Sequence, residues 1–564
     1  MNVAQYTGRL PDGGRNANRV LALLGVLYLL VYILPLSHRP LLLPDETRYF
    51  EIPREMIATG DWVVPRLDGL VYFEKPVMGY WANALAMLVV GQNAFAVRLP
   101  GAMAMGVVAL ALFFGFRRTG DEEPPAWLAP LIFLTSAETF AIGTFGVLDS
   151  LFSMFLTLAM FAFFQGYQTR RGGHRRGWLL LAGALIGAAF LTKGFIAFVV
   201  PGLILAAFAF WEGRLATLLR TSWLPVLSAL AVILPWGVAI YRREGDFWPY
   251  FIWVEHIQRF LHPGRGQHPE AFWFFVPVFV AGMLPWSVVA PAAVLGLRNR
   301  WGDSRIRFLT CWLIGTFLFF SASSGKLVTY ILPCFPPAAA LMAMGLWRYQ
   351  GQGGWRAFRR GTGIWGGVLI LVAVGLAVDQ LTGMLGARPY GPQEAWKWAL
   401  ACAGLVVWGG GSLWSRHASG SSRKLVGFAL AGVLFFSLAA FIFPESIYAR
   451  KAPGLLLARH RQQIPDDAVI VADGYLVRAV CAAFQRQDVR LFITPDELAY
   501  GLRRAPAQRR LSDANALARL IAAQRKALHP VIVVLRRDHM KRYRGVLPEP
   551  NGMDIYGNFV LLSF

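Results

Sequence analysis

Long apolar runs recur along this chain and constrain its fold more than any other feature. An α-helix needs about 20 mainly apolar residues to cross a bilayer. We count about thirteen runs that approach or reach this length: 19–36, 95–116, 127–145, 147–166, 178–191, 195–211, 223–241, 272–295, 308–321, 327–347, 364–378, 396–413 and 425–443. With 56% hydrophobic residues, the chain carries more apolar surface than one soluble core can bury. We therefore predict an all-α polytopic membrane protein over residues 1–444.

Basic residues in alternate connections predict the orientation of these spans. They are Arg117, Arg118, Arg170, Arg171, Arg175, Arg176, Arg214, Arg220, the group from Arg298 to Arg307, Arg356, Arg359, Arg360 and the group from Arg416 to Lys424. Lysine and arginine are retained on the cytoplasmic side, so these connections and the N-terminus are predicted to be cytoplasmic. The first run lacks a small-residue cleavage site and is interpreted as a signal anchor. The complementary connections face outward and hold most of the acids.

The net charge of +23 raises nucleic-acid binding as another interpretation. A basic groove needs a folded soluble face, whereas most arginines here lie in short loops between apolar runs. We therefore expect no nucleic-acid partner, and we expect a monomer surrounded by membrane lipids.

The composition changes after Pro444 to short β-rich runs separated by amphipathic stretches. The runs are Ala468–Val471, Val489–Ile493, Val531–Leu535 and Phe559–Phe564, and Leu511–Ala527 has helical periodicity. Residues 445–564 are predicted to form a small α/β domain on the outer, periplasmic side.

The first outward connection, residues 38–94, is long and charged, and we predict amphipathic helices within it. Asp45 is predicted to be a helix N-cap where the first span meets water. In such a helix Asp45, Arg48 and Tyr49 share one face through i, i+3 and i+4 spacing. The alternative is a capping aspartate with a solvated arginine.

A second acid and cation follow in the same connection. Tyr72, Glu74 and Lys75 precede the apolar segment Val77–Val90, which could lie in the membrane interface rather than cross it. Interfacial snorkelling accounts for Lys75 but poorly for Glu74.

Asp149 lies at the outer end of a predicted span with no basic residue nearby in the sequence. A carboxylate in that position has to be paired or hydrated, so we predict that it marks a functional cavity. Lys193 and Lys326 are isolated cations in other outward turns, and together with Arg48 they would suit an anionic phosphate. Each of them alone could merely snorkel.

The outward loop from Arg242 to Glu270 is rich in tryptophan, histidine and arginine. Glu74 and His256 are candidate metal ligands, but no close ligand pair accompanies them. An aromatic belt with phosphate contacts, including Arg259, is the favoured interpretation.

These residues together resemble one known family. The motifs occur in a fixed order: Pro44-Asp45-Glu46, Glu74-Lys75-Pro76, Asp149, Thr192-Lys193-Gly194, His268-Pro269, Ser324-Gly325-Lys326 and Tyr330-Ile331-Leu332-Pro333. The sequence is similar to the lipid A aminoarabinose transferase (ArnT) family of C-type glycosyltransferases, which are relatives of the protein O-mannosyltransferases. The resemblance extends through the membrane part and the C-terminal domain.

The resemblance implies an undecaprenyl phosphate-linked 4-amino-4-deoxy-L-arabinose donor, a lipid A phosphate acceptor and one inverting displacement. Asp45 would be the principal catalytic acid, supported by Asp149. No cofactor is expected to be required, although a divalent metal ion at Glu74 and His256 stays open. Substrate and phosphate contacts are assigned to Arg48, Tyr49, Tyr72, Lys75, Lys193, Arg259, Lys326 and Tyr330.

Two alternatives remain. The same carrier could deliver another sugar or serve a protein acceptor, because the sequence does not show pocket shape. A lipid transporter or flippase is the other class, but transporters place ionisable groups near the membrane midplane, whereas the charges here gather at one face.

Overall fold

The computed structural model describes residues 14–115, 123–169, 172–258, 269–384, 388–506, 509–511 and 513–564. Within these ranges, the part before residue 445 is mainly helical with one two-stranded hairpin, and a mixed sheet occupies the C-terminal part. The predicted fold class is confirmed in both parts.

The helices of the membrane part are numbered in chain order. They are α1 Gly14–Tyr28, α2 Asp45–Thr59, α3 Met78–Val90, α4 Ala94–Gly115, α5 Leu128–Leu134, α6 Ala137–Gly143, α7 Asp149–Gln168, α8 Gly172–Lys193, α9 Ile196–Trp211, α10 Leu215–Thr221, α11 Trp223–Arg243, α12 Phe247–Pro249, α13 Phe275–Gly282, α14 Ala290–Leu297, α15 Ser304–Ala322, α16 Phe335–Gly351, α17 Arg356–Thr382, α18 Ala395–Ser415, α19 Ser421–Ala431 and α20 Val433–Leu438. Short 3₁₀ or π-helical segments extend several of them: Leu29–Ile33, Leu34–Ser37, Tyr250–Gln258, Phe272–Phe274, Trp286–Val289, Val328–Cys334 and Pro392–Glu394.

All thirteen apolar runs form helices, but fewer of them form long, straight spans. In the described part of the chain, ten helical stretches are long and apolar enough to cross a membrane. An eleventh is obtained if Phe272–Gly282 and Trp286–Leu297, which meet at a bend of 92°, count as one span. The run at 195–211 forms the 16-residue α9, and the run at 127–145 divides into α5 and α6.

The break between α5 and α6 is one reason why fewer than thirteen of the runs form long, uninterrupted helices. Thr135 and Ser136 lie at the break, and their hydroxyls donate to the carbonyls of Leu131 and Ile132 one turn earlier. Hydroxyls that bond back in this way compete with regular helix, and the irregular backbone is tolerated because both residues are buried in protein. Hydropathy alone does not register such a break.

Small residues allow some helices to pack closely. A Cβ atom placed on Gly296 of α14 would lie 1.9 Å from the main-chain oxygen of Gly345 in α16. Helix association in membranes depends on such close packing, because lipid supplies no hydrophobic driving force.

The first outward connection folds as two helices around a short hairpin. β1 (Arg66–Leu67) pairs antiparallel with β2 (Leu70–Val71), and the hairpin lies between α2 and α3. At 1.5 Å per residue, the 13-residue α3 is about 20 Å long, too short to cross the roughly 30 Å hydrocarbon core. This length agrees with the interpretation of α3 as a segment that does not cross.

The C-terminal part forms one six-stranded sheet in the order β5-β4-β3-β6-β8-β7. Strands β3 to β6 are parallel, and β8 runs antiparallel to β6 and β7. The strands are β3 Val469–Asp473, β4 Arg490–Phe492, β5 Arg510–Leu511, β6 Val531–Arg536, β7 Gly552–Tyr556 and β8 Phe559–Ser563. The helices are α21 Glu445–Lys451, α22 Gly454–His460, α23 Val477–Phe484, α24 Ala499–Arg503, α25 Ala514–Lys526 and α26 Arg537–Tyr543.

The four predicted β runs and the predicted helix are confirmed as β3, β4, β6, β8 and α25. Sequence analysis missed β5, which has two residues, and β7, which is an edge strand. No residue of β7 is fully buried, so it lacks the apolar pattern that marks a strand.

The C-terminal domain packs directly against the first outward connection. Asp68, buried at the hairpin turn, accepts a hydrogen bond from the Val489 N–H at 3.0 Å and lies 3.0 Å from the Arg509 guanidinium. The Leu43 N–H donates to the main-chain oxygen of Lys451 at 2.8 Å. These contacts position the domain beside the start of α2.

Candidate active site

Several of the predicted acids and cations lie at one end of the helical bundle. Asp149 is the first residue of α7, and Lys193 is the last residue of α8. The two helices follow each other across a three-residue connection and therefore run antiparallel, so these ends lie on the same side. The start of α2 belongs to this side as well, because the Gly146 N–H donates to Glu46 at 3.1 Å.

Asp45 is the first residue of α2 and not its N-cap. Pro44 takes the cap position without a side-chain cap hydrogen bond, and the Asp45 carboxylate forms an ion pair with Arg48 instead. The Arg48 guanidinium carbon lies 5.1 Å from the centre of the Tyr49 ring. The shared face is confirmed. The N-cap prediction was wrong because a charged guanidinium is a stronger partner for a carboxylate than a main-chain N–H.

Arg48 is buried in a network that reaches the C-terminal domain. Its Nη1 donates to Glu497 Oε1 at 2.7 Å and to the Tyr72 hydroxyl at 3.1 Å, and that hydroxyl donates to Glu497 Oε2 at 3.0 Å. Arg478 Nη1 lies 3.6 Å from the same Glu497 oxygen. Burial would raise the pKa of Glu497, but Arg48 and Arg478 outweigh it and lower the pKa to about 2. The alternative of a solvated arginine is excluded, since the Arg48 side chain is 11% exposed.

Asp149 and Lys193 are each other's partners. Lys193 Nζ lies 2.6 Å from Asp149 Oδ1, and the ammonium sits 4.2 Å from the centre of the Tyr330 ring. Asp149 at a helix N-terminus and Lys193 at a helix C-terminus both have the charge that the helix dipole favours. The structure thus brings three predicted residues together and supplies the partner that the local sequence of Asp149 lacked.

The Tyr49 phenol lies within electrostatic reach of both Asp45 and Asp149. Burial raises the pKa of its phenol well above the usual value; the cation of Arg48 opposes this shift, while the charges of Asp45 and Asp149 add to it. A side chain influenced by both carboxylates indicates that the two clusters border one site.

Glu74 and Lys75 adjoin this site. Burial raises the pKa of Glu74 to about 7, and the carboxylates of Glu497 and Glu255 contribute to the rise, while Lys75 and Arg48 oppose it. The Lys75 ammonium donates to the main-chain oxygen of Glu74 at 3.0 Å. Glu74 is therefore within electrostatic reach of Glu497 and Arg48, two members of the network described above.

The geometry offers no ready metal centre within the described ranges. They contain no group of three His, Cys, Asp or Glu residues that could hold a metal ion. His256 Nδ1 lies 2.8 Å from the main-chain oxygen of Phe251, and its Nε2 accepts the Phe195 N–H at 3.4 Å. Both ring nitrogens are therefore engaged within the protein, and the aromatic rings of Phe195 and Phe251 flank the imidazole.

Lys326 is held by carbonyls rather than by a carboxylate of the site. Its ammonium donates to the main-chain oxygens of Glu270 and Ser323, and it is buried. This arrangement closes the turn before Tyr330. Arg259, the remaining predicted phosphate ligand, lies outside the described residues.

Glu46, the neighbour of Asp45, is held entirely by contacts within the protein. Its fully buried carboxylate accepts hydrogen bonds from Arg39 at 2.7 and 2.8 Å, from Arg98 at 2.7 and 2.8 Å, and from the Leu42 N–H at 3.0 Å. Burial would raise the pKa of Glu46, but the two arginines outweigh it and lower the pKa to about 2. Of the Asp-Glu pair, only Asp45 keeps a partly exposed side chain.

Sequence analysis missed several charged residues of this region. Arg98 could have been identified from the sequence, because an arginine inside an apolar run is rarely found without a charged or polar partner. Glu138, in the broken span, is buried, and its Oε1 has no hydrogen-bond partner among the described residues. Nothing in the local sequence indicated that Glu497 and Arg478 belong to the site, since Glu497 lies 449 positions from Arg48 in the chain.

Two family models match the chain. Residues 18–251 match dolichyl-phosphate-mannose-protein mannosyltransferase, and residues 448–563 match the C-terminal domain of arabinosyl transferase ArnT. Together the two matches cover the regions that contribute Asp45, Asp149, Lys193 and Glu497.

Full-length relatives share substantial sequence identity. The undecaprenyl phosphate-alpha-4-amino-4-deoxy-L-arabinose arabinosyl transferase of Shewanella sediminis is 34% identical over 539 residues, which is 95% of this chain and 96% of the relative. The enzyme of the same name from Edwardsiella ictaluri is 37% identical over 554 residues, or 96% and 98% of the two chains.

The fold is shared with a solved structure. The crystal structure of ArnT from Cupriavidus metallidurans bound to undecaprenyl phosphate superposes with a TM-score of 0.81 at 23% identity, covering 97% of this chain and 98% of that chain. The similarity extends over both the helical bundle and the C-terminal sheet.

Proposed function

Because this chain belongs to the ArnT family of undecaprenyl phosphate-alpha-4-amino-4-deoxy-L-arabinose arabinosyl transferases, we propose that it transfers this amino sugar to a phosphate of lipid A. It is a multi-pass membrane glycosyltransferase whose donor is linked to undecaprenyl phosphate. We place the reaction at the periplasmic face of the bacterial inner membrane and expect a monomer to perform it.

One observation carries this proposal. Asp45, Arg48 and Tyr49 gather with Asp149 and Lys193 at a single end of the bundle. A lipid-linked donor keeps its prenyl tail in the hydrocarbon and its sugar phosphate at the membrane surface, so a site for it belongs at the end of the helices. The orientation predicted from the basic connections makes this end periplasmic.

The reaction is a single displacement at the anomeric carbon. An oxygen of the acceptor phosphate attacks C1 of the sugar, and the bond between C1 and the carrier phosphate oxygen breaks. Its electron pair leaves with undecaprenyl phosphate, and attack opposite the leaving group inverts C1. A phosphate monoester has a second pKa of about 6, so the acceptor is ionised at neutral pH and no base has to deprotonate it. No step of this proposal uses a metal ion.

Asp45 is the carboxylate best placed to meet the substrate. Its side chain is 36% exposed, compared with 12% for Asp149 and 22% for Glu497. With no proton to remove, Asp45 orients the acceptor or contacts the ammonium of the amino sugar. Either role depends on its negative charge.

The carrier phosphate gains negative charge as it leaves and needs cations nearby. Lys75 lies in the segment between β2 and α3, Lys193 ends α8, and Arg48 lies one helical turn from Asp45. We propose that these cations and the tyrosines at 49, 72 and 330 bind the phosphates. Lys326 and Arg259 remain predicted contacts.

Mass spectrometry of lipid A tests the proposal. Cells that lack their own aminoarabinose transferase activity but make the donor are supplied with the wild-type chain or with Asp45→Asn. We expect wild type to add the mass of one aminoarabinose and Asp45→Asn to add none, because the variant loses the charge but keeps the size of the side chain. The matched control is Asp61→Asn, an acid of the same connection whose ion pair is with Arg243 at 2.7 Å.

Two outcomes would contradict the proposal. Near-normal modification by Asp45→Asn would remove that residue from the mechanism. Unmodified lipid A in cells with wild-type protein, together with a new aminoarabinose adduct on another molecule, would overturn the acceptor.

A further inference from the structure

Glu497 of the C-terminal domain is linked to Asp45 through one side chain, Arg48. Glu497 lies in the short helical turn Asp496–Leu498, which directly precedes α24. α24 packs against the outer hairpin so closely that a Cβ atom on Gly501 would lie 2.8 Å from the main-chain oxygen of Val71. This packing places Glu497 beside Tyr72 and Arg48.

The Arg48 guanidinium is divided between two carboxylates. Its Nη2 pairs with Asp45, while its Nη1 donates to Glu497 and to Tyr72. Its Nε is buried and has no hydrogen-bond partner among the described residues. Because the guanidinium is planar and rigid, fixing one terminal nitrogen also fixes the direction of the other.

Glu497 is itself held in place from a second direction. The Tyr72 hydroxyl donates to its Oε2 at 3.0 Å, and Arg478 Nη1 approaches the same oxygen at 3.6 Å. Tyr72 belongs to the outward connection and Arg478 to α23 of the C-terminal domain. The carboxylate therefore has fixed neighbours in both parts of the chain.

We propose that Glu497 is a positioning residue through which the C-terminal domain orients Arg48 and thereby Asp45. This inference rests on the proposed function, since it assumes that Asp45 takes part in transfer. Glu497 holds Nη1, so that only Nη2 is presented to Asp45 and one carboxylate oxygen stays available to the substrate. The C-terminal domain is then a component of the transferase site.

Loss of Glu497 would alter Asp45 without removing it. Removal of Glu497 leaves part of the Arg48 charge uncompensated, and Asp45 is the other carboxylate already paired with it. Arg48 would then engage Asp45 with both terminal nitrogens and draw its carboxylate away from the substrate. A misplaced catalytic group lowers kcat more than it changes substrate binding.

Steady-state kinetics of the purified full-length enzyme with undecaprenyl phosphate-linked aminoarabinose and lipid A test the inference. For Glu497→Gln we expect kcat to fall by about 10- to 100-fold, with both KM values changed by less than about threefold. Glu497→Asp, which keeps the charge, should recover part of the loss. Asp554→Asn is the matched control, because it removes a carboxylate of the same domain that pairs with His460 at 2.9 Å.

A double-substitution experiment separates positioning from general stability. If Glu497 acts through Arg48, the Arg48→Gln/Glu497→Gln double variant has the kcat of Arg48→Gln alone, because the intermediary is already absent. Multiplicative losses in the double variant, or normal kcat in Glu497→Gln, would overturn the inference. A loss of kcat in Glu497→Gln matched by an equal loss in Asp554→Asn would do the same.

Thermal denaturation of each variant identifies any that are not folded at the assay temperature. If Glu497→Gln is unfolded, the comparison rests on Glu497→Asp, for which an unchanged kcat would overturn the inference. Failure of the proposed function is recognised separately, because Asp45→Asn would then retain full transfer whatever Glu497 does.

Discussion

Asp149 and Lys193 form an ion pair of 2.6 Å in which the two side chains are 12% and 8% exposed. Breaking a buried pair by removing one partner costs about 3–5 kcal/mol, because the other charge is left without compensation. Loss of transfer after a single substitution would therefore not distinguish a catalytic role from a structural one.

A neutral pair makes this distinction at the residue scale. We expect Asp149→Asn and Lys193→Gln each to lower thermal stability and transfer. The Asp149→Asn/Lys193→Gln double variant should recover most of the stability, because no buried charge remains, while transfer stays low if the charges act on the substrate. Thermal unfolding and lipid A modification are measured on the same variants. Recovery of both stability and transfer in the double variant would show that the pair has only a structural role.

At the scale of secondary-structure elements, Glu46 connects separate segments of the membrane part. Its carboxylate joins the start of α2 to Arg98 of α4 and to Arg39 of the preceding turn. These contacts hold the first turn of α2, which carries Asp45, in place. The position of Asp45 thus depends on a neighbour that is itself fully buried.

The pKa of Glu46 gives a stability prediction with a defined sign. The folded-state pKa of about 2 lies below the usual 4.5, so the ionised group stabilises the fold above about pH 4.5, and this contribution disappears as pH falls towards 2. The shift corresponds to about 3 kcal/mol. We expect Glu46→Gln to be less stable than wild type at pH 7 and the difference to shrink on acidification.

Thermal denaturation in detergent from pH 7 to pH 3 measures this difference. Glu549→Gln, which changes an exposed carboxylate, serves as the control. A gap between wild type and Glu46→Gln that is constant with pH would contradict the assigned role.

At the scale of the whole molecule, the C-terminal domain and the membrane part form a joint structure around Asp68 and Arg48. Asp68 contacts Arg509 and Val489, and Arg48 contacts Glu497. The domain must therefore lie on the same side of the membrane as the outward connection. This conclusion follows from the contacts and does not depend on the number of spans.

Reporter fusions test this side. Alkaline phosphatase is active only in the periplasm, so we expect activity after Gly60, at the end of α2, and none after Gly353, in the basic turn between α16 and α17. The reverse pattern would place Asp45 in the cytoplasm and contradict the proposed site.

The sequence by itself determined the elements and the predicted sidedness. Apolar runs located the helices, basic connections predicted their direction, and spacing placed Asp45, Arg48 and Tyr49 on one face. These properties depend on residues that are close together in the chain, which is why periodicity and composition reveal them. The break at Thr135 and Ser136 escaped detection because apolar content does not report hydroxyl hydrogen bonds.

Only the tertiary structure decided which charges meet. Asp149 pairs with Lys193 across 44 positions, Arg48 with Glu497 across 449, and Glu46 with Arg98 across 52. A carboxylate at a helix end has to be paired or hydrated, but the sequence leaves its partner open, because packing of whole elements brings distant side chains together. The difference between the partly exposed Asp45 and the fully buried Glu46 arises in the same way, since adjacent helical residues point in different directions and meet different neighbours.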